Sequence, residues 1–242
     1  MVTAASLIAV PQGAPLHLQV VDALGQLIVG AGYGPGSQLP NEEALCQQFN
    51  VSRTAVREAI KVLGAKGLVE ARPRAGTRVR PFAQWSLFDA DVLRWLHGRG
   101  QGHELVPHLT VVREMVEPTA SALAAREHTA AQAKELAAAY AQMEAATHIE
   151  AWVPADLRFH QAILQATNNP FLISLGGMIA TALEGLLVVN AEQARQFNDA
   201  LPAHRKVLQA ILARNPDDAG LWMRALLADA RVLGRATSVG VA

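Results

Sequence analysis

Cysteine occurs once in this 242-residue chain, at Cys46, so no disulfide can close within it and a reducing compartment is expected. Cys46 falls on the apolar side of a short helical stretch, where the expected role is a small buried residue. Long apolar runs are also missing. The longest, Met178 to Val189, is broken by Glu184 and falls short of the ~20 residues a membrane helix needs. The opening MVTAASLIAV has no basic flank and is too short to span a bilayer, so neither leader nor anchor is expected. These absences point to a soluble, cytoplasmic protein. The chain shows no nucleophile motif and no well-placed general base, which argues against an enzyme.

Net charge is absent as well, with 21 Lys/Arg against 21 Asp/Glu. The balance conceals a segregation. Residues 51–80 carry eight Lys/Arg against Glu58 and Glu70, a net +6, whereas residues 81–242 carry 13 against 16, a net −3. A phosphate-seeking patch on a near-neutral body follows, and nucleic acid is the partner such a patch suits. The length and the 51% apolar composition allow a sizeable core and suggest two domains.

The basic stretch centres on NVSRTAVREAIKVLGAK, Asn50 to Lys66. Ser52 is a good N-cap, and Val56, Ala59, Ile60 and Leu63 recur at helical spacing. Arg53 and Arg57 share the opposite face, one turn apart, with Thr54 beside them and Lys61 a turn further on. That face suits the major groove, where arginine donates bidentately to guanine O6 and N7. Before it, Asn41 to Phe49 reads as a short capped helix with Ala44, Leu45 and Phe49 inside, and Leu16 to Ala31 as a first helix buried through Leu18, Val21, Leu24, Leu27 and Ile28. After it, residues 67–71 read as a strand, 72–76 as a turn and 77–80 as a returning strand. The expected unit is a winged helix-turn-helix over residues 15–80, preceded by a flexible tail at 1–14.

Residues 81–98 read as a linker with a short helix, WSLFDADVLRW, whose Trp85, Leu87, Phe88, Val92 and Trp95 would clamp the two domains together. From residue 99 to 235 the pattern is almost wholly helical. Helices are expected near 104–127, 130–146, 151–167, 170–190, 202–214 and 216–235, followed by a tail at 236–242. Their caps and breaks are Thr129, Asn168-Asn169-Pro170, Pro202 and Asn215-Pro216. The fold class is therefore mainly α: a winged helix-turn-helix followed by an antiparallel helical bundle with a central cavity.

The stretch GYGPGSQLPNEEALCQQFNVSRTAVREAIKVLGAKGLVEARPRAGTRV resembles the DNA-binding domain of GntR-family bacterial transcription regulators. VVREMVEPTASALAARE, DLRFHQAILQATNNPFL and AHRKVLQAILARNPDDA resemble the FCD ligand-binding domain of the FadR subfamily. The linker and the overall pattern are similar to the galactonate operon repressor branch, which responds to sugar acids. The resemblance implies that Arg53, Thr54 and Arg57 face base edges and nearby phosphates, with Gly76 at the wing tip. Charge and position add Arg74 and Arg78. One departure is visible: several relatives place arginine where Glu43 stands, so the operator is expected to differ accordingly.

Asp156 and His160 lie at i and i+4, a spacing that can chelate one cation, and His204 opens a later helix as a third donor. In the FCD family these positions match metal ligands, with a further histidine in the pattern A-x-x-x-M-x-x-H. Ala219 and Met223 fit that pattern, but Leu226 stands in place of the histidine. Either three groups hold the ion with coordination positions open, zinc being the expected divalent ion, or the site has lost its metal. Arg113 matches a family arginine and either clamps an anionic effector or makes an i,i+4 bridge to Glu117. Trp152 and Asn190 are weaker candidates for the same cavity, while His97, His103, His108, His128 and His148 show no ligand spacing and are expected to be solvated or capping. The expectation is a homodimeric repressor of a sugar-acid (aldonate) operon, holding double-stranded operator DNA and released by an effector bound at Arg113, Asp156, His160 and His204. A dicarboxylate or fatty-acid effector is the alternative, and a metal-dependent hydrolase or isomerase is the rival from another class.

Overall fold

The computed structural model describes residues 15–72, 76–99, 102–193 and 197–236, and the chain divides into two compact units, 1–99 and 100–242. The expected tails at 1–14 and 236–242 lie outside the described residues, except Ala236, which is the last residue of a helix. The first unit contains α1 (Leu16–Val29), α2 (Glu42–Phe49), α3 (Arg53–Ala65), β1 (Val69–Arg72), β2 (Gly76–Val79) and α4 (Ala90–Gly98). Asn41 caps α2 by accepting the Ala44 N–H at 2.8 Å, and Ser52 caps α3 by accepting the Ala55 N–H at 3.3 Å. Between these helices Asn50 adopts a left-handed conformation, φ 51°, which ends α2 and redirects the chain.

α3 packs against both α1 and α2, and Leu45 of α2, Val56, Ala59 and Leu63 of α3, and Val20, Val21, Leu24 and Ile28 of α1 are all buried. Each large aliphatic side chain buried in this way contributes about 1.5–3 kcal/mol. Leu18, expected inside, is 43% exposed, because the inner stripe of α1 runs through Val20, Val21, Leu24 and Ile28. Cys46 is half-buried and free. β1 and β2 pair antiparallel, from Val69 opposite Val79 to Arg72 opposite Gly76. The strand starts two residues later than expected. Gly67 turns at φ +78° where a side chain would run into the Gln84 carbonyl, and Leu68 is buried beside it. Residues 36–39 extend the hairpin, Leu39 N–H donating to Thr77 O at 2.8 Å and Val79 N–H to Ser37 O at 2.9 Å.

The helix expected from Trp85 begins only at Ala90, because Asp89 caps it, accepting the N–H groups of Asp91 and Val92 at 3.0 and 3.2 Å. Its apolar face belongs to the first unit. Trp95 lies against Gly25 of α1, where no β-carbon fits, and donates its indole N–H to Asp22 at 2.8 Å. Lys66, at the end of α3, pairs with Asp89 and Asp91 at 2.8 Å each. Trp85 precedes the helix and donates to the Arg80 carbonyl at 3.0 Å, while Phe88 stays exposed.

The second unit is α5 (Gly102–Glu127), α6 (Ala130–Ala145), α7 (Ile149–Gln165), α8 (Pro170–Gln193), α9 (Leu201–Leu212) and α10 (Pro216–Ala236). Thr129 and Gln132 form a reciprocal capping box at the head of α6. α5 packs along α10 and touches α7, α8 and α9, while α7 lies between α6 and α8. Phe159, Leu136, Met143, Ile163, Val207, Ile211 and Met223 fill the core. The small side chains of Ala120, Ala124, Ala125 and Ala139 let the helices approach closely.

Candidate functional site

On the first unit, Arg53, Thr54 and Arg57 are exposed along one face of α3, whose other face is buried. Glu42 binds Arg57 across the turn, and Glu43 stands 4.0 Å from Arg53. Arg78 is exposed on β2 opposite Glu70. Gly76 opens β2 at φ +81°, where a β-carbon would meet the Gln38 side chain. It is the first residue of the strand, and Arg74 lies outside the described residues. The result is a cationic helix face flanked by a basic hairpin, a shape that fits a groove and its phosphates.

The second unit brings together five charged or titratable side chains in its interior: Arg113 and Glu117 on α5, Asp156 and His160 on α7, and His204 on α9, each 6% exposed or less. Asp156 Oδ1 is 2.8 Å from His204 Nε2 and 3.7 Å from His160 Nε2. The donor atoms of Asp156, His160 and His204 all lie within 4.8 Å of one another. His204 Nδ1 is 2.8 Å from the carbonyl of Ala200. A carbonyl only accepts, so Nδ1 carries a proton and Nε2 is the ring nitrogen turned toward Asp156. His160 Nδ1 lies 2.7 Å from Glu117 Oε2. Neither His160 Nδ1 nor His204 Nε2 has an aligned hydrogen-bond partner among the described residues.

This donor set fits a divalent cation. A carboxylate and two imidazoles converge, the Ala200 carbonyl stands behind the His204 ring as the kind of orienting group metal-bound histidines use, and Glu117 lies 2.7 Å from Nδ1 of His160. Burial pushes the Asp156 carboxyl up, but the fields of His160 and His204 outweigh it and hold it at about 2. Burial acts on Glu117 in the same way, and Arg113 and then His160 bring it to about 2. Both carboxylates are therefore ionised at neutral pH and able to hold a cation or imidazolium.

Arg113 makes the i,i+4 bridge, Nε to Glu117 Oε1 at 2.6 Å and Nη2 to Oε2 at 3.3 Å. Glu117 thus links Arg113 to His160. The sequence offered it only as a partner for Arg113, since its second contact crosses to another helix. Leu226, Ala219 and Met223 are buried in the apolar core. Trp152 meets the ring of His204 edge-on at 6.0 Å, so it belongs to the surroundings of this centre. The side chains of Asn190 and His103 lie outside the described residues. His128, expected as solvated or capping, is buried and caps α5 through Ala124 O at 2.8 Å, whereas His108 and His148 are exposed. The space beside Glu117 and His160 measures about 10 Å³, lined in part by Gly176, Ile179 and Leu183 of α8.

A cationic reading helix on one unit and a buried polar centre in the helical other define a DNA-binding protein with a sensor domain. Residues 16–79 match the family described as bacterial regulatory proteins, gntR family, and residues 108–229 match the FCD domain. The chain belongs to the GntR family, in its FadR-like, FCD-containing branch, and is a ligand-responsive transcription regulator and not an enzyme. No helix among the described residues is long and apolar enough to cross a membrane.

Among its relatives, the uncharacterized HTH-type transcriptional regulator YieP of Escherichia coli K12 is 36% identical, covering 84% of this chain and 94% of that protein. The galactonate operon transcriptional repressor of the same organism is 33% identical over 83% of this chain and 89% of its own length. Of solved structures, a Streptococcus agalactiae GntR protein is similar with a TM-score of 0.50 and 26% identity, covering 89% of this chain and 99% of that one. Lar of Listeria monocytogenes shares the fold with a TM-score of 0.65 at 19% identity, covering 92% and 98%.

Proposed function

We propose that this regulator is a cytoplasmic homodimeric repressor whose effector is a sugar acid and whose sensor centre holds a divalent cation. The carrying observation is the buried set Arg113, Glu117, Asp156, His160 and His204 inside a largely apolar bundle. Such a centre suits a small anion bearing hydroxyls. It disfavours a long acyl chain, which would leave these groups desolvated without partners. The 33% identity to a galactonate operon repressor agrees with an aldonate. Asp156, His160 and His204 would hold the cation, zinc being the expected one, and Glu117 and Ala200 would orient the two imidazoles. When bound, the cation supplies an open coordination position for a carboxylate or hydroxyl oxygen.

On the DNA side, Arg53, Thr54 and Arg57 would read base edges, with Arg74, Gly76 and Arg78 of the hairpin on the backbone and minor groove. Two copies would hold two half-sites of a near-palindromic operator. The space beside Glu117 and His160 is smaller than a sugar acid, so entry of the effector would require the helices around it to part. Release follows if the effector binds the free conformation better than the DNA-bound one, and by linkage DNA then weakens effector binding by the same factor.

The test is a thermal-shift panel of aldonates and dicarboxylates, on protein stripped with chelator and on protein reloaded with Zn²⁺. An aldonate at a hundredfold excess over its Kd adds about 2.7 kcal/mol, a rise of about 5–10 °C for a domain of this size. Chelation should abolish the rise. A dicarboxylate outperforming every aldonate would overturn the sugar-acid assignment, and an undiminished response after chelation would remove the metal.

A further inference from the structure

Glu42 opens α2 and accepts from Nε of Arg57 with both carboxylate oxygens, at 3.0 and 2.9 Å, although the residues stand 15 apart on different helices. The side chains are 62% and 40% exposed, for Arg57 and Glu42 respectively, so solvent screens the pair and its effect on folding stability is small. Its geometry is more informative than its strength. A guanidinium is a rigid planar fork with five donors. Fixing Nε sets the plane and leaves the Nη1/Nη2 end for a second bidentate partner. The neighbouring pair is looser: Glu43 only approaches Nη2 of Arg53, at 4.0 Å, and does not hold the arginine by Nε.

We propose that Glu42 is a positioning residue for sequence readout: it holds Arg57 by Nε so that Nη1 and Nη2 meet the O6 and N7 of guanine. This rests on the reading of Arg57 as a base contact. The carboxylate has a second effect, since its charge offsets that of Arg57 and opposes a swing of the guanidinium onto a phosphate. Glu42 therefore raises discrimination between sequences and lowers affinity for DNA in general.

The experiment uses the full-length protein and two labelled duplexes, one enriched from a random pool by the wild-type protein and one of mixed sequence, titrated over a range of salt. Glu42→Ala is expected to cut the affinity ratio between them by about tenfold, the scale of a good bidentate base contact. Mixed-sequence binding should hold or rise, with a salt slope steeper by about one as Arg57 turns to phosphate. Glu42→Gln keeps an oxygen for Nε and should restore the ratio to within about threefold. In an Arg57→Ala background, Glu42→Ala should change the ratio no further.

An equal loss on both duplexes, or a further loss in the Arg57→Ala background, would overturn the positioning role. If Arg57→Ala itself leaves the ratio unchanged, the base-contact reading fails first and takes this role with it. A wild-type protein that binds neither duplex would sink the DNA-binding reading as a whole.

Discussion

Glu117→Ala would leave Arg113, itself only 6% exposed, buried without its carboxylate partner. The pair it destroys is close, with Nε to Oε1 at 2.6 Å and Nη2 to Oε2 at 3.3 Å, and the same carboxylate stands 2.7 Å from His160. Breaking a buried ion pair from one side costs about 3–5 kcal/mol, because the surviving charge keeps its desolvation penalty and loses its attraction. For a domain of this size each kcal/mol moves the midpoint by about 2–4 °C, so the helical unit should melt about 6–20 °C lower. Scanning calorimetry of the full chain would show the fall.

The companion variant replaces both charges, Arg113→Met with Glu117→Leu, and should recover most of the loss, since neither member of the pair is then left buried as an unpartnered ion. It should still bind DNA while losing the effector response. A single variant less than about 1 kcal/mol down, or a double variant as unstable as the single one, would refute the reasoning from desolvation.

Arg57→Ala should weaken binding to a selected operator duplex by about 1–3 kcal/mol and relax preference at one base position, read by anisotropy titration; unchanged affinity would contradict the docking of α3. His204→Ala removes a proposed cation ligand on which no proposed DNA contact depends, so DNA affinity should stay within about twofold while zinc bound after reloading falls below that of the wild type, measured by elemental analysis. Effector release that survives this substitution would make His204 a structural residue.

Much of the chain's local structure was legible before folding. The caps at Asn41, Ser52 and Thr129 and the break at Asn215 are local events, decided by a side chain accepting from a backbone N–H three residues on. Helix periodicity likewise placed Val56, Ala59 and Leu63 inside and Arg53 and Arg57 outside. The misreadings lie where two local signals competed or a distant partner decided. Trp85 looked helical, but Asp89 offers a stronger cap and delays the helix to Ala90. Leu18 fits an apolar stripe, yet the face of α1 that meets α3 is rotated away from it.

The candidate centre shows the same division. The i,i+4 spacings within Asp156/His160 and Arg113/Glu117 could be read from sequence, because one helix geometry fixes them. That Glu117 also reaches His160, that His204 arrives from α9 at 2.8 Å from Asp156, and that Glu42 grips Arg57, needed the helices packed against one another. Residue order determines which side chains share a turn; only burial of the apolar faces decides which turns of different helices meet, and the buried polar centre lies at such a meeting.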